Sequence, residues 1–230
     1  MPIKQKGTER YEHHLVRAVH MVRGSLTFQA TCRPAFNYAR DSHSLHLSKY
    51  GAVFRSPALT LALSSDVPLS DDGQGGAQAS FTLSEDQSAF FFLDSSQDQN
   101  LLPHPIARDL YEAQFLETRR YWLRWLSQCR YQGRWREHVH RSALALKLLT
   151  YVPTGAIVAA PTTSLPEGIG GERNWDYRFT WLRDASFTLD SLLALGFTEE
   201  AEAFTGWLSA RINELGEGGE LQPMYTIRGG

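Results

Sequence analysis

The sequence predicts an α+β chain whose strands come first and whose helices follow. Three observations carry that expectation. Between Glu12 and about Leu93, short apolar alternations are separated by turn residues, the spacing of an antiparallel sandwich rather than of a β-α-β fold. From about Asp109 to Cys129, the run YEAQFLETRRYWLRWLSQC contains no Pro or Gly and repeats apolar residues at three and four, which predicts a helix. From about 182 to 195, Leu182, Ala185, Leu189, Leu192 and Leu193 make one helical stripe that Gly196 ends.

The strands begin with HHLVRAVHMV and SLTFQATC, the second of which sets Leu26, Phe28, Ala30 and Cys32 on one face. Arg23-Gly24-Ser25 between them reads as a hairpin turn. LHLSKYGAVF, ALTLALSSD, ASFTLSED and SAFFFLDSS supply further short strands. DDGQGGAQ at 71–78 reads as a hairpin loop; its glycines lack the strand-to-helix context of a phosphate cradle.

Near Pro103 the character changes, and LPHPIARD reads as a linker into the first helix. After Gly133 a second helix is predicted through WREHVHRSALALKLLTYV, with Val139, Ala143, Leu146 and Leu149 to Tyr151 as its apolar stripe and Pro153-Thr-Gly155 as its end. His138 and His140 lie two apart, on different faces of that helix, and read as solvated histidines rather than metal ligands. Beyond the helix at 182–195, Thr198 is expected to cap a fourth. Glu199 and Glu200 suit its first turn, and it buries Ala203, Phe204, Trp207 and Leu208. The two helices form an αα-hairpin. The glycine-rich segment GEGGELQPMYTIRGG follows, with no later element to cover Met224 or Tyr225.

Composition removes several function classes. The 230 residues are 42% apolar, enough to fill the core of one large or two ordinary domains. A net charge of −2 with both signs interspersed offers no basic face for nucleic acid or an anionic membrane. ALALKLLTYV is interrupted by Lys147 and is too short to span a bilayer. MPIKQKGTER has no hydrophobic region behind its basic residues and so does not read as a secretory signal. Cys32 and Cys129 read as reduced core thiols, which favours a cytoplasmic setting, and no segment calls for a metal, nucleotide or other cofactor.

The most informative stretch is 170–196, GGERNWDYRFTWLRDASFTLDSLLALG. It sets Trp175, Tyr177, Phe179 and Trp181 among Arg173, Asp176, Arg178, Arg183 and Asp184. Flat apolar faces beside fixed charges suit a sugar, whose C–H face takes aromatic rings while its hydroxyls take bidentate arginine and carboxylate partners. Aromatics at alternate positions also fit a half-buried extended segment. If a helix begins near Trp181 or Leu182, Arg183 stands in its first turn, where the macrodipole disfavours a cation by roughly 0.3–1 kcal/mol. An arginine placed against that rule points to function, with a plain salt bridge as the other reading.

PTTSLPEGIGGERNWDYRFTWLRDASFTLDSLLALGFTEEAEAF followed by LQPMYTIRGG closely resembles the start of the catalytic domain in bacterial and archaeal members of glycoside hydrolase family 15, the glucoamylases and related trehalases. The likeness extends more loosely through RWREHVHRSALALKLLTY to LTFQATCRPAFNYAR, which is similar to the family's N-terminal β-sandwich. The resemblance implies a β-sandwich portion over 1–102, a linker helix within 103–132, and over 133–230 the first hairpins of an (α/α)6 toroid of six helical hairpins. It also implies that Arg183 and Asp184 grip the hydroxyls of the non-reducing terminal glucose, that Tyr177 and Trp181 line its subsite, and that Trp175 and Tyr225 serve as pocket walls.

Inverting glycosidases pair a carboxylic acid with a carboxylate that activates water. In this family both are glutamates from later loops, so the resemblance implies that they are expected beyond Gly230. Glu167, Glu172, Asp176 and Glu220 stand outside those motifs. No catalytic acid or base is therefore assigned, and the chain is expected to be an internal fragment of a longer, exo-acting α-glucosidase. The expected partner is trehalose or the α-glucoside end of an oligosaccharide, and the oligomeric state is left open. The alternatives are a non-catalytic carbohydrate-binding or regulatory module of the glucoamylase type, as in the regulatory subunits of phosphorylase kinase, and a remnant without function.

Overall fold

The structure, a computed structural model, describes residues 14–215 and 218–230. The readings of MPIKQKGTER and of a strand start at Glu12, and the part of the last loop at 216–217, lie outside the described residues. The chain divides into two compact units, the first ending at Arg119 and the second beginning at Arg120. Among the described residues, antiparallel sheets fill the first and four helices serve the two together, so the α+β expectation holds.

Among the described residues the first unit holds eight strands: β1 (His14–His20), β2 (Ser25–Cys32), β3 (Ser44–Ser48), β4 (Gly51–Arg55), β5 (Thr60–Ser65), β6 (Ser70–Asp71), β7 (Ala77–Ser84) and β8 (Ser88–Ser96). They form a five-stranded sheet, β1-β8-β5-β4-β3, and a three-stranded one, β2-β7-β6. Phe54, Ala52 and Leu63 from the first sheet pack with Ala77 and Cys32 from the second, so the core lies between the layers. Phe36 joins it from the loop after β2.

Gly24 does turn the chain, at φ +79°, but β1 and β2 are not a hairpin. β1 pairs with β8 and β2 with β7, so each enters a different sheet. His20 faces Ser88 and Ser25 faces Ser84, which sets the four residues 21–24 against the three residues 85–87. Met21 N–H donates to the Gln87 carbonyl and Asp86 N–H to that of Met21, so the pairing continues through the bend. An unequal count of this kind is a bulge, the device by which a strand pair turns a sandwich corner. The face predicted for β2 holds at Phe28, Ala30 and Cys32, whereas Leu26, next to the bend, is exposed.

LHLSKYGAVF is a hairpin rather than one strand: β3 and β4 pair across Lys49 and Tyr50. Gly51, at φ +145°, lies so close to the Leu63 carbonyl that a Cβ would clash. The loop at 71–78 closes as predicted, with Asp72 N–H bonded to Gly76 O and the Asp72 carboxylate receiving the Gln74 and Gly76 N–H groups.

Helix α1 (Arg108–Leu126) contains the boundary between the units, and α2 (Arg136–Leu148), α3 (Leu182–Leu195) and α4 (Glu199–Glu214) belong to the second. α2 ends earlier than predicted. Thr150–Tyr151 (β9) turns back on Ala156–Ile157 (β10), because β-branched and aromatic residues followed by Pro153 and a Gly155 at φ +84° favour a hairpin over another helical turn. α3 has the predicted limits, with Gly196 left-handed at φ +98° as its C-cap. Thr198 precedes α4 but makes no capping bond through its side chain; its carbonyl takes the Glu202 N–H.

Two clusters form this unit's core. Trp125 stacks on Phe197 at 3.9 Å with Ala143 and Leu192, and Ala156, Ile157, Ala185, Phe204, Trp207 and Tyr225 form the other. Ala203, predicted buried, is exposed, whereas Glu200 is only 2% exposed. Glu200 sits on the same side of α4 as Phe204 and Trp207, one and two turns on. Tyr225 is covered as well: Met224–Tyr225 (β12) pairs with Thr180–Trp181 (β11). After β12 the backbone turns on itself, with Thr226 N–H donating to the Gly230 carbonyl at 2.8 Å and Gly230 N–H to Thr226 Oγ1 at 3.1 Å.

Candidate functional site

The candidate residues stand where an extended segment runs into α3. Residues 175–179 lie antiparallel to 159–164, with Ser164 N–H bonded to Trp175 O, Ala160 N–H to Tyr177 O and Ala159 N–H to Phe179 O. An isolated bridge between Thr163 and Asp176 belongs to the same pairing. The half-buried extended reading of this stretch is therefore correct as local structure, and it is compatible with a site. β11 then pairs with β12, and Leu182 N–H reaches Pro223 O at 3.0 Å, which fixes the first turn of α3.

This backbone brings Trp175, Tyr177, Trp181, Arg183 and Asp184 together. Trp175 is 47% exposed and meets Trp181 edge-on, with ring centres 6.4 Å apart; Tyr177 lies 6.0 Å from Trp181. The Arg183 guanidinium is 5.7 Å from the Trp181 ring centre. Arg183 donates through Nε and Nη2 to Asp184 Oδ2 at 3.2 and 3.0 Å. The salt-bridge reading of Arg183 is thus realised, yet the pair is open to solvent, Arg183 being 65% and Asp184 33% exposed. A carboxylate with one oxygen engaged and a guanidinium with free N–H groups can still take vicinal hydroxyls.

Tyr225 is placed differently. It sits opposite Thr180 in the β11–β12 pair, but its ring meets Trp207 edge-on at 5.7 Å within the core, and its hydroxyl accepts the Gln222 N–H at 2.8 Å. The spacing of the sequence could not show this, because it depends on a pairing across 45 residues.

Two features escaped sequence reasoning. Asp176 and Arg178 form a forked pair within the same segment, and Trp181 Nε1–H donates to the Asp176 carbonyl at 2.9 Å. An aspartate two residues before a hydrogen-bonded N–H is an Asx-turn signal, and Asp-x-Arg could have been read that way. Glu200 is the second. Its Oε1 accepts from Trp125 Nε1–H at 2.9 Å and from Lys147 Nζ, so α4 is tied to α1 and α2 inside the unit. Burial alone would raise its pKa, but the Lys147 and Trp125 hydrogen bonds outweigh this and hold the carboxyl below the ordinary range.

Elsewhere, a cavity of about 610 Å³ in the first unit, lined by Phe36, Asn37, Asp41, Leu59 and Leu61 among others, contains none of the candidate residues. Among the described residues no cluster of His, Cys, Asp and Glu could hold a metal, and no helix is long and apolar enough to cross a membrane. Cys32 and Cys129 are free thiols, and burial pushes that of Cys32 up.

Residues 133–230 match the family profile of glycosyl hydrolases family 15. The relatives agree. A trehalase of Mycolicibacterium smegmatis is 38% identical over 95% of this chain and 33% of its own length. A trehalase of Thermoplasma volcanium is 39% identical over 75% of this chain and 27% of its own, and a trehalase of Mycobacterium tuberculosis is 36% identical over 95% and 33%. The chain spans about a third of the length of the curated relatives it matches. No solved structure matches it.

Proposed function

We propose that this chain carries the glucose-gripping wall of an inverting, exo-acting α-glucosidase of family 15, with trehalose as the first substrate to test. The carrying observation is the open Arg183–Asp184 pair set against Trp181, with Tyr177 and Trp175 beside it. In this reading Arg183 and Asp184 take the hydroxyls of the terminal glucose, Trp181 and Tyr177 line the sugar face, Trp175 flanks them, and Tyr225 backs the wall from the core. Trehalose is favoured over starch-type ends because the relatives named above are trehalases. The helices of the second unit would be the opening hairpins of the six-hairpin toroid, and α1 the linker helix.

The catalytic acid and base are proposed to be glutamates beyond Gly230, in sequence outside these 230 residues. Glu167 and Asp176 are held by Arg173 and Arg178. The chain by itself should therefore bind sugar without cleaving it. The test incubates the chain with trehalose and with maltooligosaccharides while glucose release and binding are followed together. Binding without release is the expected result; release above background would place an acid–base pair within the chain, and neither would remove the subsite. A non-catalytic sugar-binding module in the whole protein is the second reading, favoured by the same open pair, and activity of the full-length protein on trehalose separates the two.

A further inference from the structure

The Asp176–Arg178 pair has a geometry that a surface ion pair seldom reaches. Asp176 Oδ1 accepts the Arg178 backbone N–H at 3.0 Å and its Nε–H at 2.9 Å, while Oδ2 accepts Nη2–H at 2.6 Å. Both carboxylate oxygens are engaged by one guanidinium fork, and the turn from 176 to 178 is closed by the same carboxylate. The backbone carbonyl of that aspartate accepts the Trp181 indole N–H at 2.9 Å. Asp176 is thus pinned at its side chain by Arg178 and at its backbone by the bridge to Thr163, and in turn it holds the indole.

An indole has a single N–H donor, so this one bond selects which ring orientation Trp181 adopts. The rings of Trp175 and Tyr177 and the Arg183 guanidinium are all arranged around that orientation. We propose that Arg178 is a positioning residue for the site: by locking Asp176 it aims the carbonyl that holds the Trp181 ring in its observed orientation. The role rests on the subsite reading above for its purpose, but not for its geometry. Arg178 acts through Asp176 and Trp181, whereas Arg183 and Asp184 would touch the sugar.

The test uses the 230-residue chain labelled with ¹⁵N-tryptophan. The Trp181 indole resonance is identified by its loss in Trp181→Phe. In Arg178→Gln that resonance should shift and its N–H should exchange with water about tenfold faster or more, the response to a hydrogen bond weakened by loss of its support. Arg178→Lys, which keeps the charge but not the fork, should do the same in a milder substitution, and far-UV circular dichroism verifies folding in each variant. Asp184→Ala should leave the resonance in place. A Trp181 indole unchanged in both Arg178 variants overturns the proposal.

Trehalose titration of the same samples separates this proposal from the reading it rests on. Arg178→Gln should weaken binding about tenfold in the wild-type background and have little further effect on top of Trp181→Phe, because the two act through one ring. Additive losses would overturn the positioning role even if the indole moves. If wild-type chain takes no trehalose while the indole responds to Arg178→Gln, the subsite reading fails and the positioning of Trp181 stands. If trehalose binds and Arg178→Gln changes neither indole nor affinity, the reverse holds.

Discussion

Glu200 concentrates more consequence than any other single residue in the helical unit. Its carboxylate is buried, and Trp125 and Lys147 both donate to one of its oxygens. Removing Lys147 while leaving Glu200 would strand a buried charge, so Lys147→Met should destabilise the chain by about 3–5 kcal/mol in urea unfolding. The pH dependence follows from the sign of the shift. The folded pKa lies below the unfolded one, so the stabilisation is present above the ordinary glutamate range of about 4.3 and is lost as pH falls through the folded value. Wild-type stability should decline across that window, and Glu200→Gln should flatten the decline. Glu199 and Glu200 look alike in the sequence as first-turn acids; only the neighbours on α1 and α2 decide which of them is buried.

At the scale of elements, local pattern and long-range pairing part company. The limits of α3, its glycine C-cap and the hairpin it forms with α4 were legible because periodicity and capping reside in neighbouring residues. The corner built by β1–β2 against β7–β8 was not, because a turn at Gly24 looks the same whether the next strand folds back or changes sheet. The β9–β10 hairpin hid for a similar reason, as Leu149 and Tyr151 continue the apolar rhythm of α2. Within the site, the residue types and their spacing pointed to the aromatic and charged cluster over 173–184, from which the family resemblance singled out Tyr177, Trp181, Arg183 and Asp184, whereas the burial of Tyr225 depended on a strand partner far along the chain.

The β9–β10 turn also makes a prediction of its own. Gly155 has φ +84°, and a Cβ there would run into the Ala203 carbonyl of α4. Gly155→Ala should therefore lower stability by about 2–4 kcal/mol, since strain and clash combine. Gly170→Ala is the control within the same unit. Its φ is +71° but the space around it is open, so only the backbone cost of about 1 kcal/mol applies. Denaturant midpoints of the two variants should separate accordingly.

For the whole molecule, the family 15 match over 133–230 falls within the helical unit, and the chain covers about a third of each of the M. smegmatis and M. tuberculosis trehalases. The proposed division of labour is that these residues hold the terminal glucose and glutamates beyond Gly230 perform the acid–base chemistry. That division stands on the Arg183–Asp184 pair acting on sugar rather than merely closing the start of α3. Calorimetric titration of trehalose into wild-type chain and into Asp184→Ala tests it most directly. The expected result is an affinity at least about tenfold lower in the variant at unchanged thermal midpoint, as loss of a charged hydrogen bond to ligand of about 1.5–3 kcal/mol requires. Affinities within about twofold of one another, a difference of only about 0.4 kcal/mol, would contradict it.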